Sequence, residues 1–172
     1  MVTQDIVERA LGYIRHQAAK PREELVQIVA NGQERFLGII GGVTDEVASK
    51  PPPEGWSLRQ LTLHVVAAEQ SVANLVSGIG AGRRIEVRDP DRAIGMALPD
   101  EGAPYAALVE RLRVVNEQML VAVRGLPSQP DLTITPPHPW FGELSCLEWA
   151  AFQRLHDEDH IQHAQKILAA VG

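Results

Sequence analysis

Apolar residues recur at helical spacing through most of the chain, in stretches cut apart by proline and glycine, and this restricts the fold to packed helices. Thr3 is placed to cap a first helix that carries Ile6, Ala10, Tyr13, Ile14 and Gln17. Pro21 ends that segment and suits the first turn of the next, which carries Leu25, Ile28, Val29, Phe36, Ile39 and Ile40 up to Gly41-Gly42. A loop follows, with Pro51-Pro52-Pro53 and Gly55, before Ser57 opens the stripe Leu58, Leu61, Val65, Ala68, Val72, Leu75 and Val76. That helix frays near Gly78, Gly80 and Gly82. Residues 84–104 read as a long irregular connection, of the kind that is functional or crosses over a bundle. Helical pattern resumes with Tyr105, Leu108, Leu112, Val115, Met119 and Val123 and closes at Gly125 and Pro127. Leu132-Thr133-Ile134-Thr135 alternates like a short strand, with Pro136, Pro137, Pro139 and Gly142 preventing a longer one. Ser145 with Glu148 forms a capping box for a last helix running to about Val171. No repeat or domain boundary interrupts this pattern, which predicts one all-α domain over 1–172: a four-helix bundle with an additional N-terminal helix.

Charge limits the partners. Lys plus Arg number 16 against 22 Asp plus Glu, a formal net charge of -6, the wrong sign for a protein held to nucleic acid by phosphate neutralisation. The one short basic run, Gly82-Arg83-Arg84, is too small to change that. The stretch from Met1 to Arg9 lacks the basic and apolar regions of a signal peptide, and no apolar run approaches the roughly 20 residues that cross a bilayer. The expectation is a cytoplasmic protein without a nucleic-acid or membrane partner. The single cysteine, Cys146, cannot form an internal disulfide and reads as a small buried hydrophobe rather than a nucleophile.

Six histidines are unevenly distributed, and three of them, His156, His160 and His163, fall on the last helix. Residues four apart on a helix differ by about 40° in azimuth, so the three share a face. Trp149, Phe152 and Ile167 lie on the same face and turn it inward. A single histidine on such a face is ordinarily a hydrogen-bonded core residue. A His-x-x-x-His pair also admits the reading that two imidazoles aim at one ion, such as zinc, nickel, copper or iron. A third ligand is then required, and His64, beside Leu61 and Ala68 on the inward side of another helix, is the natural one. Three histidines with open coordination positions would make a catalytic arrangement.

These residues carry a family resemblance. The stretch Gly55-Trp56-Ser57-Leu58-Arg59-Gln60-Leu61-Thr62-Leu63-His64 resembles the helix entry of DinB-like proteins, where Trp-Ser precedes a helix with the first metal histidine. Pro139-Trp140-Phe141-Gly142-Glu143-Leu144-Ser145 is similar to that family's approach to its last helix, and His156-Asp157-Glu158-Asp159-His160 to its closing His-x-x-x-His. The resemblance spans about Val26 to Ala170. It implies a four-helix bundle with one divalent metal ion (zinc, nickel or iron) on His64, His156 and His160. It further implies a small-molecule chemistry in which a low-molecular-weight thiol is transferred to an electrophile, and a homodimer. The chain departs from the family at His163, where a Gln is common, and in its extra segment from Thr3 to Lys20, which would cover the core or a partner surface.

Expectations for the neighbours follow from position. His163 is a non-ligand close to the site and the candidate acid or base. Asp157, Glu158 and Asp159 read as a solvated acidic face, with Asp159 or a neighbour as the alternative orienter of a ligand ring. Glu69 reads as exposed, His138 as an exposed loop residue or else a substrate contact, and His16 as a surface residue. Trp56, Trp140 and Trp149 anchor loops and core, with Trp140 also at the pocket. Three functions remain open: a metal-dependent thiol S-transferase or hydrolase, a non-catalytic metal-binding or stress-response bundle, and a structural bundle with hydrogen-bonded core histidines.

Overall fold

The computed structural model describes residues 4–85 and 102–172. Thr3 and the greater part of the expected connection, residues 86–101, lie outside the described residues. The helices are α1 (Gln4–Ala18), α2 (Arg22–Ile40), α3 (Asp45–Ser49), α4 (Leu58–Gly80), α5 (Tyr105–Arg124) and α6 (Cys146–Val171). Serines at Ser57 and Ser145 start α4 and α6 through full capping boxes with Gln60 and Glu148, satisfying two otherwise orphaned backbone donors in the first turn. The short helix α3, capped by Thr44, forms where the sequence reads as loop. The expected strand at 132–135 is absent; instead Pro137–His138 (β1) pairs antiparallel with Gly142–Glu143 (β2) across the Trp140 turn.

Four helices make the bundle. α2 packs on α6 and α5, and α4 packs on the same two, so α2 faces α4 across one diagonal and α5 faces α6 across the other. α1 lies outside this square against α6, with Ile14 fully buried. No helix among the described residues is long and apolar enough to cross a membrane.

The apolar core is divided. One cluster gathers Leu25 and Val29 of α2, Val72 to Ile79 of α4, Met119 to Val123 of α5 and Trp149 to Phe152 of α6. The other gathers Phe36 and Ile40, Leu58 to Val66, Tyr105 to Val115 and Ile161 to Val171. Between them each helix contributes a buried polar residue at the same level: Gln33, Glu69, Asn116 and, from α6, Gln153 with Asp157. Gln33 Nε2 donates to Glu69 Oε1 and, at 3.2 Å, to the carbonyl of Asn116. Gln153 Nε2 donates to Asp157 Oδ1 at 3.0 Å. Such a layer costs stability wherever a polar atom stays unpaired, and Asn116 Nδ2 and Asp157 Oδ2 have no hydrogen-bond partner among the described residues. An apolar layer would hold the bundle together better, so the layer points to a requirement other than stability. Gly32 is part of the arrangement, since a Cβ there would stand 2.7 Å from Asp157 Oδ2.

Candidate metal centre

Helix α4 supplies His64 and helix α6 supplies His156 and His160, one turn apart on the face that looks toward α4. All three are buried. Their Nε2 atoms converge, with His64 to His160 at 3.1 Å, His160 to His156 at 3.1 Å and His156 to His64 at 3.3 Å. Each nitrogen of a neutral imidazole is either donor or acceptor. With three nitrogens and two states, at least one of the three contacts must join two alike, so the cluster cannot satisfy itself by hydrogen bonding. A cation at the centre satisfies all three lone pairs. Points 3.1, 3.1 and 3.3 Å apart lie about 1.8 Å from their common centre, close to the roughly 2.0–2.1 Å of a zinc–imidazole bond. The chemistry of the donors and their spacing therefore fit a divalent metal.

Electrostatics favour the neutral ligand form. Burial, with the neighbouring rings, pushes His160 down to about 3 and His156 well below the ordinary imidazole value. Burial, then the nearby His163, lowers His64, with Asp159 opposing. At neutral pH the rings keep their lone pairs.

The supports behind the rings come largely from residues expected at the surface. Asp157 is buried rather than part of a solvated face, because α6 is covered by α1, α2 and α4 at once. Gln153 joins it to the site, with Nε2 3.3 Å from His156 Nδ1. Glu69 is fully buried, not exposed, because most of the circumference of α4 is buried. Burial and the adjacent Asp157 hold the Glu69 carboxyl well above its usual range, against hydrogen bonds from Gln33 and Gln153. Burial likewise lifts Asp157 to about 7. Glu158, half-buried and paired with Arg35 and Arg154, and the exposed Asp159 keep to the surface as expected. Asp159 Oδ2 stands 3.9 Å from His160 Nδ1, too far to orient that ring by a hydrogen bond.

The cluster forms the floor of a cavity of about 720 Å³, within the range of small-molecule sites. His163 is half-buried on its wall, its ring 6.3 Å from that of Trp56 and 6.4 Å from that of His160. His138 is buried, contrary to the exposed-loop expectation. Its Nδ1 accepts the backbone N–H groups of Trp140 (3.1 Å) and Phe141 (3.3 Å), and its ring packs on Phe152 and Trp149. Burial holds it neutral, down to about 4, so the proton sits on Nε2 and the ring fixes the turn that carries Trp140 to the cavity. Trp149 is a core anchor, its Nε1–H donating to the Pro136 carbonyl at 3.2 Å. Cys146 is buried and its thiol is pushed up by desolvation, as expected of an inert residue. His16 is exposed on α1, away from the cluster.

Fold and site together define a four-helix bundle with a three-histidine cluster of metal-site dimensions. Comparison with known proteins gives the family. The profile of the DinB superfamily matches residues 28–164, and the chain belongs to that superfamily. The uncharacterized protein YuaE of Bacillus subtilis (strain 168) is 25% identical over 142 residues, covering 74% of this chain and 87% of that protein. Among solved structures, YfiT from Bacillus subtilis, described as a probable metal-dependent hydrolase with an unusual four-helix bundle topology, matches with a TM-score of 0.68 at 16% identity over 85% of each chain. TT2238, described as a four-helix bundle protein, matches with a TM-score of 0.58 at 22% identity over 85% of this chain and 99% of that one. At these identities the two structures carry the fold.

Proposed function

We propose that this chain is a metal-dependent hydrolase of a small molecule, with His64, His156 and His160 holding one divalent cation. The observation that carries the reading is the convergence of three neutral Nε2 atoms on the floor of an open cavity. Membership of the DinB superfamily and the hydrolase description given to YfiT support it. A divalent cation held there supplies Lewis acidity and lowers the pKa of the nucleophile that reaches it. The chain's own residues do the rest. The Gln153 side chain backs the His156 ring, its amide 3.3 Å from Nδ1, and limits where the ring can move. His163, on the cavity wall within reach of the floor, takes the proton of the nucleophile at a ring nitrogen and returns it to the leaving group. His138 holds the turn that closes one side of the cavity against water.

Water is favoured over a low-molecular-weight thiol as nucleophile because the described lining of the cavity carries no lysine or arginine to pair with the carboxylates such thiols carry. The test is a reconstitution screen. Metal-stripped protein is loaded with zinc, nickel or iron and assayed on panels of esters, amides and lactones, and in parallel for conjugation of a thiol to an electrophile. Metal-dependent hydrolysis that disappears in His156→Gln is the expected result. Turnover that needs added thiol would replace hydrolysis with transfer, and wild-type metal content in each of the three histidine variants would overturn the site.

A further inference from the structure

The walls of the cavity differ in kind from its floor. One wall is α1, which contributes Ile6, Val7 and Ala10. The facing wall is the β1–β2 turn, which contributes Trp140 and Phe141. Ile6 is 54% and Trp140 65% exposed, and both are large apolar residues held at the rim of one opening. Exposed apolar surface around a concave site ordinarily marks a ligand's place. Among the described residues the charged side chain on the lining is a carboxylate, Asp159. α1 also lies outside residues 28–164, the part matched by the superfamily profile.

We propose that α1 and the Trp140 turn form a specificity clamp for a substrate with an uncharged aromatic or comparably bulky apolar body, whose reacting polar group points to the histidine floor. The reasoning is one of complementarity. An aromatic body gains by leaving water for rings and aliphatic side chains. An anionic substituent on that body meets no cation on these walls and meets Asp159 instead. The clamp deepens the hydrolase reading and rests on it for the orientation of the polar group, while the preference for an uncharged body is a property of the walls alone.

Two fluorescent probes of one scaffold separate the cases: N-phenyl-1-naphthylamine, which is uncharged, and 8-anilinonaphthalene-1-sulfonate, which adds a sulfonate. Both are titrated into the full-length protein kept metal-free with chelator. The clamp predicts saturable binding of the uncharged probe at one site per chain, at least tenfold tighter than the sulfonate. Ile6→Asp and Trp140→Ser should each weaken the uncharged probe at least tenfold, with helix content and cooperative unfolding retained. Val121→Asp, at an exposed apolar position of α5 away from the cavity, should not. Equal or tighter binding of the sulfonate would overturn the clamp, as would an equal effect of Val121→Asp. Absence of zinc binding with the probe preference intact would sink the hydrolase reading and still support the clamp.

Discussion

Acidification distinguishes a buried three-histidine centre from an exposed one by orders of magnitude. An ordinary imidazole with a pKa near 6.5 is about 3% neutral at pH 5, so three such ligands would lose roughly 10⁴-fold in metal affinity between pH 7 and pH 5. In this chain burial pushes His160 down to about 3, which leaves it about 99% neutral at pH 5. His64 and His156 are shifted the same way by the same cause. With His156 and His160 held neutral, the expected loss of zinc affinity over that interval stays below the roughly 25-fold that one ordinary imidazole would lose. Competition against a chromophoric chelator, calibrated separately at each pH, measures it directly. A fall near 10⁴-fold would show that the rings titrate as exposed groups and would refute the burial argument. Stability of the metal-free protein is the wrong readout. His160 has a folded pKa below its unfolded value, so its contribution is present above about pH 6.5 and declines toward pH 3, by roughly 2 kcal/mol at pH 5. Asp157 works in reverse: raised to about 7 from 3.8, its contribution is full below pH 3.8 and is lost as pH rises through 7. On acidification from pH 7 to 5 Asp157 and Glu69 gain stability while His160, His156, His64 and His138 lose it, so the pH dependence of stability mixes opposing contributions and does not isolate the site.

Zinc at one hundred times its Kd should stabilise the metal-free protein by about 2.7 kcal/mol, roughly 5–10 °C in Tm for a chain of this length. His160→Ala should abolish that increment and His16→Ala keep it; equal responses would count against the ligand set. His163→Gln should retain zinc near wild-type stoichiometry by elemental analysis while lowering turnover. Loss of metal there, with retention in His156→Gln, would move the ligand pair to His160 and His163. Gly32→Ala forces a methyl against Asp157 and should cost about 1–3 kcal/mol in urea unfolding; an unchanged midpoint would refute that contact.

The helices were legible because their apolar stripes and their serine caps are local signals, the His156–His160 pair because a four-residue spacing fixes a shared face, and His64 because it lies on the inward stripe of another helix and in the stretch that carries the family resemblance. The supports were not. Glu69 stands five residues after His64, an azimuth that predicts exposure on a helix with one buried face. α4, packed by α3, α5 and α6, has few exposed faces. Asp157 misleads for the same reason, sitting in an acidic run whose other members do reach solvent. His138 is set by rings distant in sequence, Trp149 and Phe152, which no local pattern around Pro137 and Pro139 announces. The helix at 45–49 falls in a stretch read as loop from its prolines, and Thr44, whose side chain caps it, is the local signal that would have found it.

The polar layer that splits the core also governs how the helices can slide. Apolar side chains of similar size permit neighbouring helices to slip along one another, and one turn is about 5.4 Å. Slipping α2 or α5 by that amount would carry Gln33 or Asn116 into an apolar cluster and leave Glu69 facing hydrocarbon. Buried polar contacts are best attested as devices that select one axial alignment among several of similar packing quality. Here the alignment they select is the one in which His64 on α4 stands level with His156 and His160 on α6, so the layer indexes two separate helices to a tolerance that hydrophobic packing alone would not impose.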